Sequence, residues 1–181
     1  IAAALVEVGL GVLVGTVSAF YGGWIDNLLM RFTEGMLSIP SLFLLLIMAK
    51  YFSGKIPNID IMGRTFTGSV IVIIVVIGLT SWMYTARIVR GNILSLREQE
   101  FITAARCFGA QNTRIMTRHL LPNTMAPIIV AATLGVANAI LSEAYVSFLG
   151  LGVQAPTATW GSMLDSSYKH LEDAPWLWFF P

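Results

Sequence analysis

Charge is scarce in this chain. Lys and Arg number 11 and Asp and Glu 10, together 12% of the 181 residues, where soluble domains carry about 25%. So thin a polar complement excludes a purely aqueous surface. The net charge of +1 is too small to hold a nucleic-acid backbone, so no nucleic-acid partner is expected. Cys107 stands alone, which excludes an internal disulfide framework; it reads as a small hydrophobe rather than a reactive thiol. His119 and His170 are far apart and expected on opposite sides of a membrane, and no His/Cys/Glu cluster has ligand spacing, so no metal site is expected. A phosphate-binding loop is missing too, because none of Lys50, Lys55 or Lys169 is followed by Ser or Thr as G-x-x-x-x-G-K-[ST] requires. With no nucleophile–base constellation either, the chain is expected not to be an enzyme. No basic stretch precedes the first apolar run and no small-residue cleavage site follows it, which argues against a signal peptide. Ile1 inside an apolar run and Pro181 after WLWFF read as cuts within a longer protein.

Apolar residues fill the space that charge leaves, at 56% of the chain. A bilayer-crossing helix needs roughly 20 of them in succession. Spans are expected near 1–21, 28–51, 66–88 and 120–144, with the start of another at 175–181. The second is interrupted by Arg31, Glu34 and Pro40; Arg31 and Glu34, three apart, can pair on one helix face. Gly11 and Gly15, with small-xxx-small spacing, read as helix-packing residues. Between spans three and four lie Arg87, Arg90, Arg97, Arg106, Arg114 and Arg118, against Glu98 and Glu100. Positive charge marks the cytoplasmic side, so span one runs inward, two outward, three inward and four outward. The expected fold is all-α, a polytopic transmembrane bundle forming one domain over 1–181, with a cytoplasmic loop at 89–119.

That loop has order of its own. Phe101, Ala104, Ala105 and Phe108 follow i, i+3, i+4, i+7 spacing, which gives a helix one apolar edge. Gly109 can end or bend that helix, since it adopts backbone angles other residues resist. A second short helix is expected from Asn112 to His119, and Pro122 suits the first turn of the next span. Composition leaves two readings open: an amphipathic loop on lipid headgroups, or an element offered to a soluble partner.

The segment FITAARCFGAQNTRIMTRHLLP (101–122) resembles the cytoplasmic loop of binding-protein-dependent ABC importer permeases. That family pattern is Glu-Ala-Ala, three residues, Gly, nine residues, Ile-x-Leu-Pro. Ala104, Ala105, Gly109, Leu121 and Pro122 fall on it, while Thr103 replaces the glutamate and His119 the isoleucine. The version in dipeptide, oligopeptide and nickel permeases is closer, with Phe101, Ile102, His119 and Asn123 also matching. YGGWIDNLLMR (21–31), SIPSLFLLL (38–46), LTSWMYTARIVRGNILSLRE (79–98) and SFLGLGVQAPTATWGSML (147–164) resemble the C-type permease subunit of dipeptide importers, so the likeness covers essentially the whole chain.

The resemblance implies a type I ABC importer permease fold in the bacterial or archaeal cytoplasmic membrane. It implies half of a translocation pathway for di- or oligopeptides, with Phe101 to about Thr113 as a coupling helix lodged in a cytosolic ATPase. The residues implied in coupling are Phe101, Thr103, Ala104, Ala105, Arg106, Gly109, Arg114, His119, Leu121 and Pro122. Glu98 or Glu100 could stand in for the missing motif glutamate. Implied partners are a related B-type permease subunit, two ATPase subunits that bind the ATP and Mg, an extracytoplasmic substrate-binding protein, and lipid. This chain itself is expected to bind no cofactor. Rival readings are a stand-alone secondary transporter or channel, a scaffold for a soluble complex, and a nickel or glutathione importer of the same family.

Two carboxylates sit in unusual places. Glu7, near the outer end of the first span, reaches either the interface or an internal water-filled cleft. Glu143, ending span four among Asn138, Ser142 and Ser147, faces either the external headgroup zone or the pathway. Both are candidate pathway residues. The loop 148–161, with glycines at Gly150, Gly152 and Gly161 and with Pro156, is expected to re-enter tightly outside span four. Trp160, Trp176 and Trp178 fit an outer aromatic belt.

Overall fold

The computed structural model describes residues 1–52, 54–61, 64–153 and 157–180. In lipid, every backbone N–H and C=O must be satisfied within its own segment, so the apolar runs become helices. α1 (Ala2–Tyr21), α4 (Gly68–Leu96) and α8 (Met125–Phe148) are each long and apolar enough to cross a membrane. α2 (Gly23–Ser38) and α3 (Ser41–Phe52) reach that standard only as a pair, bent by 87°. Short helical pieces complete the chain: α5 (Glu100–Cys107), α6 (Asn112–Arg114), α7 (Leu121–Asn123), α9 (Trp160–Ser167) and α10 (Trp176–Phe179). The fold is all-α in class. One small ribbon departs from it, β1 (Ile59–Ile61) pairing antiparallel with β2 (Arg64–Phe66), Asp60 opposite Thr65.

Several boundaries differ from the sequence expectation. The second span, expected to be interrupted at Arg31, Glu34 and Pro40, is broken at Pro40 and starts at Gly23 rather than 28. Pro40 disfavours the helical region for the residue before it, and Ile39 accordingly sits extended at φ −83°, ψ 127°. The helix of the third span continues past 88 to Leu96. Ala86, Val89 and Ile93 repeat at i, i+3, i+7 and are fully buried, so the packed stripe carries the helix past its arginines. The segment expected as a loop from 89 is thus helical as far as Leu96. The second short helix is α6 followed by a π-helical turn, Ile115–Leu120, before α7 and a break at Thr124. Pro122 lies at the start of α7, while Pro127 occupies the first turn of α8, where a missing N–H leaves no bond unmade. The expected fifth span is represented by the single turn of α10, and Pro181 lies outside the described residues.

α1 and α4 form the centre of the bundle and run parallel. Val6 packs beside Gly78, Gly11 beside Thr85, and Gly15 beside Ala86 and Val89, so the two numberings rise together. This agrees with the arginine bias, which sends both helices inward. Small residues let the backbones approach: a Cβ on Gly11 would lie 2.5 Å from the Thr85 Cβ, and one on Gly15 2.5 Å from the Ala86 carbonyl oxygen. Gly9 on the same helix meets nothing within 4 Å. Replacing Gly15 by Val is therefore expected to cost about 1–3 kcal/mol through overpacking, while Gly9→Ala stays near neutral. Thermal midpoints of the purified variants check this; equal midpoints would remove the packing role.

Candidate functional site

The arginine-rich segment is keyed to the spans by a few buried side chains. Ile102 of α5, Ile115 and Leu120 of the π turn, and Ala19, Val89 and Ile93 of α1 and α4 are all fully buried in one cluster, which Ile128 of α8 joins. Each such Ile or Leu contributes about 2 kcal/mol by leaving solvent. Ile102 thus seats α5 in the same buried cluster as side chains of α1, α4 and α8.

α5 is delimited at both ends. Gln99 before it is extended at φ −76°, ψ 149°, and Glu100 places a carboxylate in its first turn. At the other end Gly109 turns left-handed at φ +75°. Its N–H donates to the Arg106 carbonyl at 2.9 Å and the Ala110 N–H to the Ala105 carbonyl at 3.0 Å, the paired bonds of a Schellman stop. One face of α5, Ile102 and Ala105, is turned inward and buried. The adjoining face is open: Phe101 is 41% exposed and Phe108 92% exposed, with Ala104 between them.

The apolar edge read from the sequence is thus divided. Phe101, Ala104 and Phe108 are exposed, whereas Ala105 is buried. Thr103, Arg106, Gly109, Arg114 and Pro122 are exposed, and His119 and Leu121 are half-buried. Of the two glutamates that could replace the motif residue, Glu98 is engaged by Arg97 Nε at 3.0 Å, and Glu100 stands exposed. Arg31 and Glu34 pair at 3.2 Å on the surface of α2, as their spacing suggested.

A second constellation, at the same end, was missed in the sequence. Asp26 of α2 accepts from Arg90 Nε at 2.6 Å and Nη2 at 2.5 Å, and also from the Ser18 hydroxyl of α1. Arg97 Nη1 donates to the carbonyl oxygen of Ala19 at 2.7 Å, at the electronegative end of α1. Three helices are tied where α5 begins. The available signal was a lone Asp in an otherwise uncharged stretch, opposite arginines at the ends of spans.

The two candidate pathway carboxylates are not brought together. Glu7 is buried and accepts only a long bond, 3.5 Å, from the Thr85 hydroxyl. It lines a cleft of about 600 Å³ with Thr80, Tyr84, Asn138, Ser142 and Tyr145. Glu143 lines a different cleft of about 520 Å³, with Ala139 and Ile140 on the other side of α8. Ser147, on the same helix, donates to Glu143 at 2.5 Å and accepts from the Val153 N–H at 3.2 Å, so Glu143 is linked to the following loop only through Ser147. In that loop Gly150 is left-handed at φ +74°, and Gly161 lies directly against the Ala144 carbonyl. Pro156 lies outside the described residues. Trp160, Trp176 and Trp178 are all exposed. Among the described residues, no three of His, Cys, Asp and Glu gather closely enough to hold a metal ion.

Residues 8–180 match the family described as binding-protein-dependent transport system inner membrane component. The chain belongs to this family. It is therefore a multi-pass protein of the bacterial cytoplasmic membrane. It is 42% identical over 171 residues to the dipeptide transport system permease protein DppC of Alkalihalophilus pseudofirmus, covering 94% of this chain and 52% of that one. It is 37% identical to the oligopeptide transport system permease protein OppC of Bacillus subtilis, over all of this chain and 55% of that one. The Escherichia coli OppC is 39% identical over 160 residues, 88% of this chain and 48% of its own. The chain spans about half the length of the curated relatives it matches.

Proposed function

We propose that this chain is a transmembrane subunit of an ATP-driven importer and forms half of the translocation pathway for di- or oligopeptides. The observation that carries this reading is α5: one face is buried through Ile102 in a cluster shared with three spans, and the next presents Phe101, Ala104 and Phe108 uncovered. A short rigid helix with a buried side and a bare side fits a joint between membrane helices and a soluble engine. The engine is a pair of ATPase subunits that bind the ATP and Mg; this chain supplies no catalytic residue. ATP-driven closure of the pair pushes α5 and rocks the spans between inward- and outward-open forms. The other half of the pathway is a related B-type permease subunit, and a binding protein delivers cargo from outside. Family membership and the peptide-transport names of the relatives support the cargo class.

Purified full-length chain, reconstituted with its permease partner, ATPases and binding protein, is expected to accumulate peptide only with ATP. Replacing both Phe101 and Phe108 by Ala should weaken ATPase co-purification about tenfold or more, because truncating central aromatic anchors costs about 2 kcal/mol or more. Arg106→Glu with Arg114→Glu should weaken it further. ATP-independent uptake by this chain alone would overturn the importer reading in favour of a stand-alone transporter.

A further inference from the structure

The two clefts between the spans differ in chemistry. The one beside Glu143 is walled mainly by Ala and Ile side chains, and its carboxylate is already engaged by Ser147. The one beside Glu7 is lined by hydroxyls and an amide, with no Lys, Arg or His among its lining residues. Glu7 itself is only 6% exposed, and its Oε2 has no hydrogen-bond partner among the described residues. A carboxylate held only for helix packing would have both oxygens occupied, because an unpaired one within a bundle is costly. Space around it is kept open by Gly135 of α8, where a Cβ would lie 3.1 Å from Oε2 and 3.2 Å from Oε1. Glu7 also lies roughly 21 Å along α1 from Tyr21, within the span and away from its cytoplasmic mouth.

We propose that Glu7 and the hydroxyl-rich cleft beside it form a cation subsite that takes the primary ammonium group of the cargo during its passage. This rests on the importer reading above. An ammonium carries three donors. The spare oxygen of Glu7 supplies one acceptor and the opposite charge. The Asn138 amide and the hydroxyl oxygens of Ser81 and Ser142 supply the rest. Thr80 adds another, since its proton is committed to the Val76 carbonyl at 2.9 Å and its oxygen remains an acceptor. A cleft with one sign of charge and low-dielectric walls concentrates the opposite ion.

The first test does not depend on which cargo is carried. In the assembled full-length transporter, with Cys107→Ser as background, Ser142→Cys places a thiol in the cleft. Its labelling by cationic 2-aminoethyl methanethiosulfonate, relative to the anionic 2-sulfonatoethyl reagent, is expected to fall about tenfold when Glu7→Gln is added. Glu7→Asp, which keeps the charge, should preserve the ratio. A ratio indifferent to Glu7→Gln overturns the subsite. The second test compares uptake of a peptide with a free amino terminus and its N-acetylated form. Glu7→Gln should raise KM for the free amine about tenfold while KM for the acetylated peptide moves far less. Equal losses for both peptides overturn the ammonium assignment. If the wild-type assembly takes up neither peptide with ATP, the importer reading falls, while the labelling ratio still decides whether Glu7 makes a cation site.

Discussion

Gly109→Val is expected to leave ATP hydrolysis running while peptide uptake falls by an order of magnitude or more. Gly109 holds φ +75°, a region that costs a β-branched residue about 1–3 kcal/mol. A Cβ there would meet nothing within 4 Å, so the penalty is in the backbone and not in packing against the rest of the chain. The strain is relieved only by unwinding the Schellman stop, which frees the Arg106 and Ala105 carbonyls and lets the end of α5 drift. Ile102 still anchors the other side of α5, so the protein should insert and assemble. What is lost is the fixed direction in which a push on Phe108 travels to the spans. Gly109→Asn supplies the control, because Asn tolerates the left-handed region and should retain most uptake. Uptake and ATPase rates measured on the same proteoliposomes decide the matter; wild-type uptake in the Val variant would remove α5 from the coupling path.

The second large effect is expected at Asp26 and Arg90. Their side chains are 13% and 32% exposed, and the pairing is bidentate. Removing one partner leaves the other charge partly buried and unpaired, a loss of about 3 kcal/mol when the site is closed, and somewhat less here because Arg90 keeps some solvent. Asp26→Asn and Arg90→Gln should each lower the thermal midpoint by several degrees and weaken coupling. Arg90→Lys should rescue little, since an ammonium cannot make the forked contact. The double reversal Asp26→Arg with Arg90→Asp should recover part of the loss. If the reversal is as damaged as the sum of its parts, the pair contributes through something other than mutual attraction.

Much of the candidate site was legible before the fold was known. Gly109 was read as a helix stop, and the structure gives it the required left-handed backbone. Gly11 and Gly15 were read as packing residues, and each faces α4 at closer than ordinary contact. Ala105 shows the limit of such reading. Its spacing puts it on an edge with Phe101 and Phe108, yet the buried neighbour is Ile102, and Ala105 turns inward with it. Asp26 carried no periodic signal at all, because its partners lie on α1 and α4, distant in sequence. Glu7 and Glu143 were paired as pathway candidates on chemistry alone. α8 stands between them.

Composition and run length alone determined that this is a membrane bundle, because lipid admits few charges and demands internal hydrogen bonds. The arginine distribution set the expected direction of the spans. The order of Ala104, Ala105, Gly109, Leu121 and Pro122 pointed to the family and to the segment proposed as the joint. Only the tertiary structure decided which side of α5 is bare, how sharply the second span bends at Pro40, and which buried carboxylate keeps an unspent oxygen. The reason is physical. Spacing says which residues share a face of one helix, but which face is covered depends on neighbours brought in by closure of the whole chain.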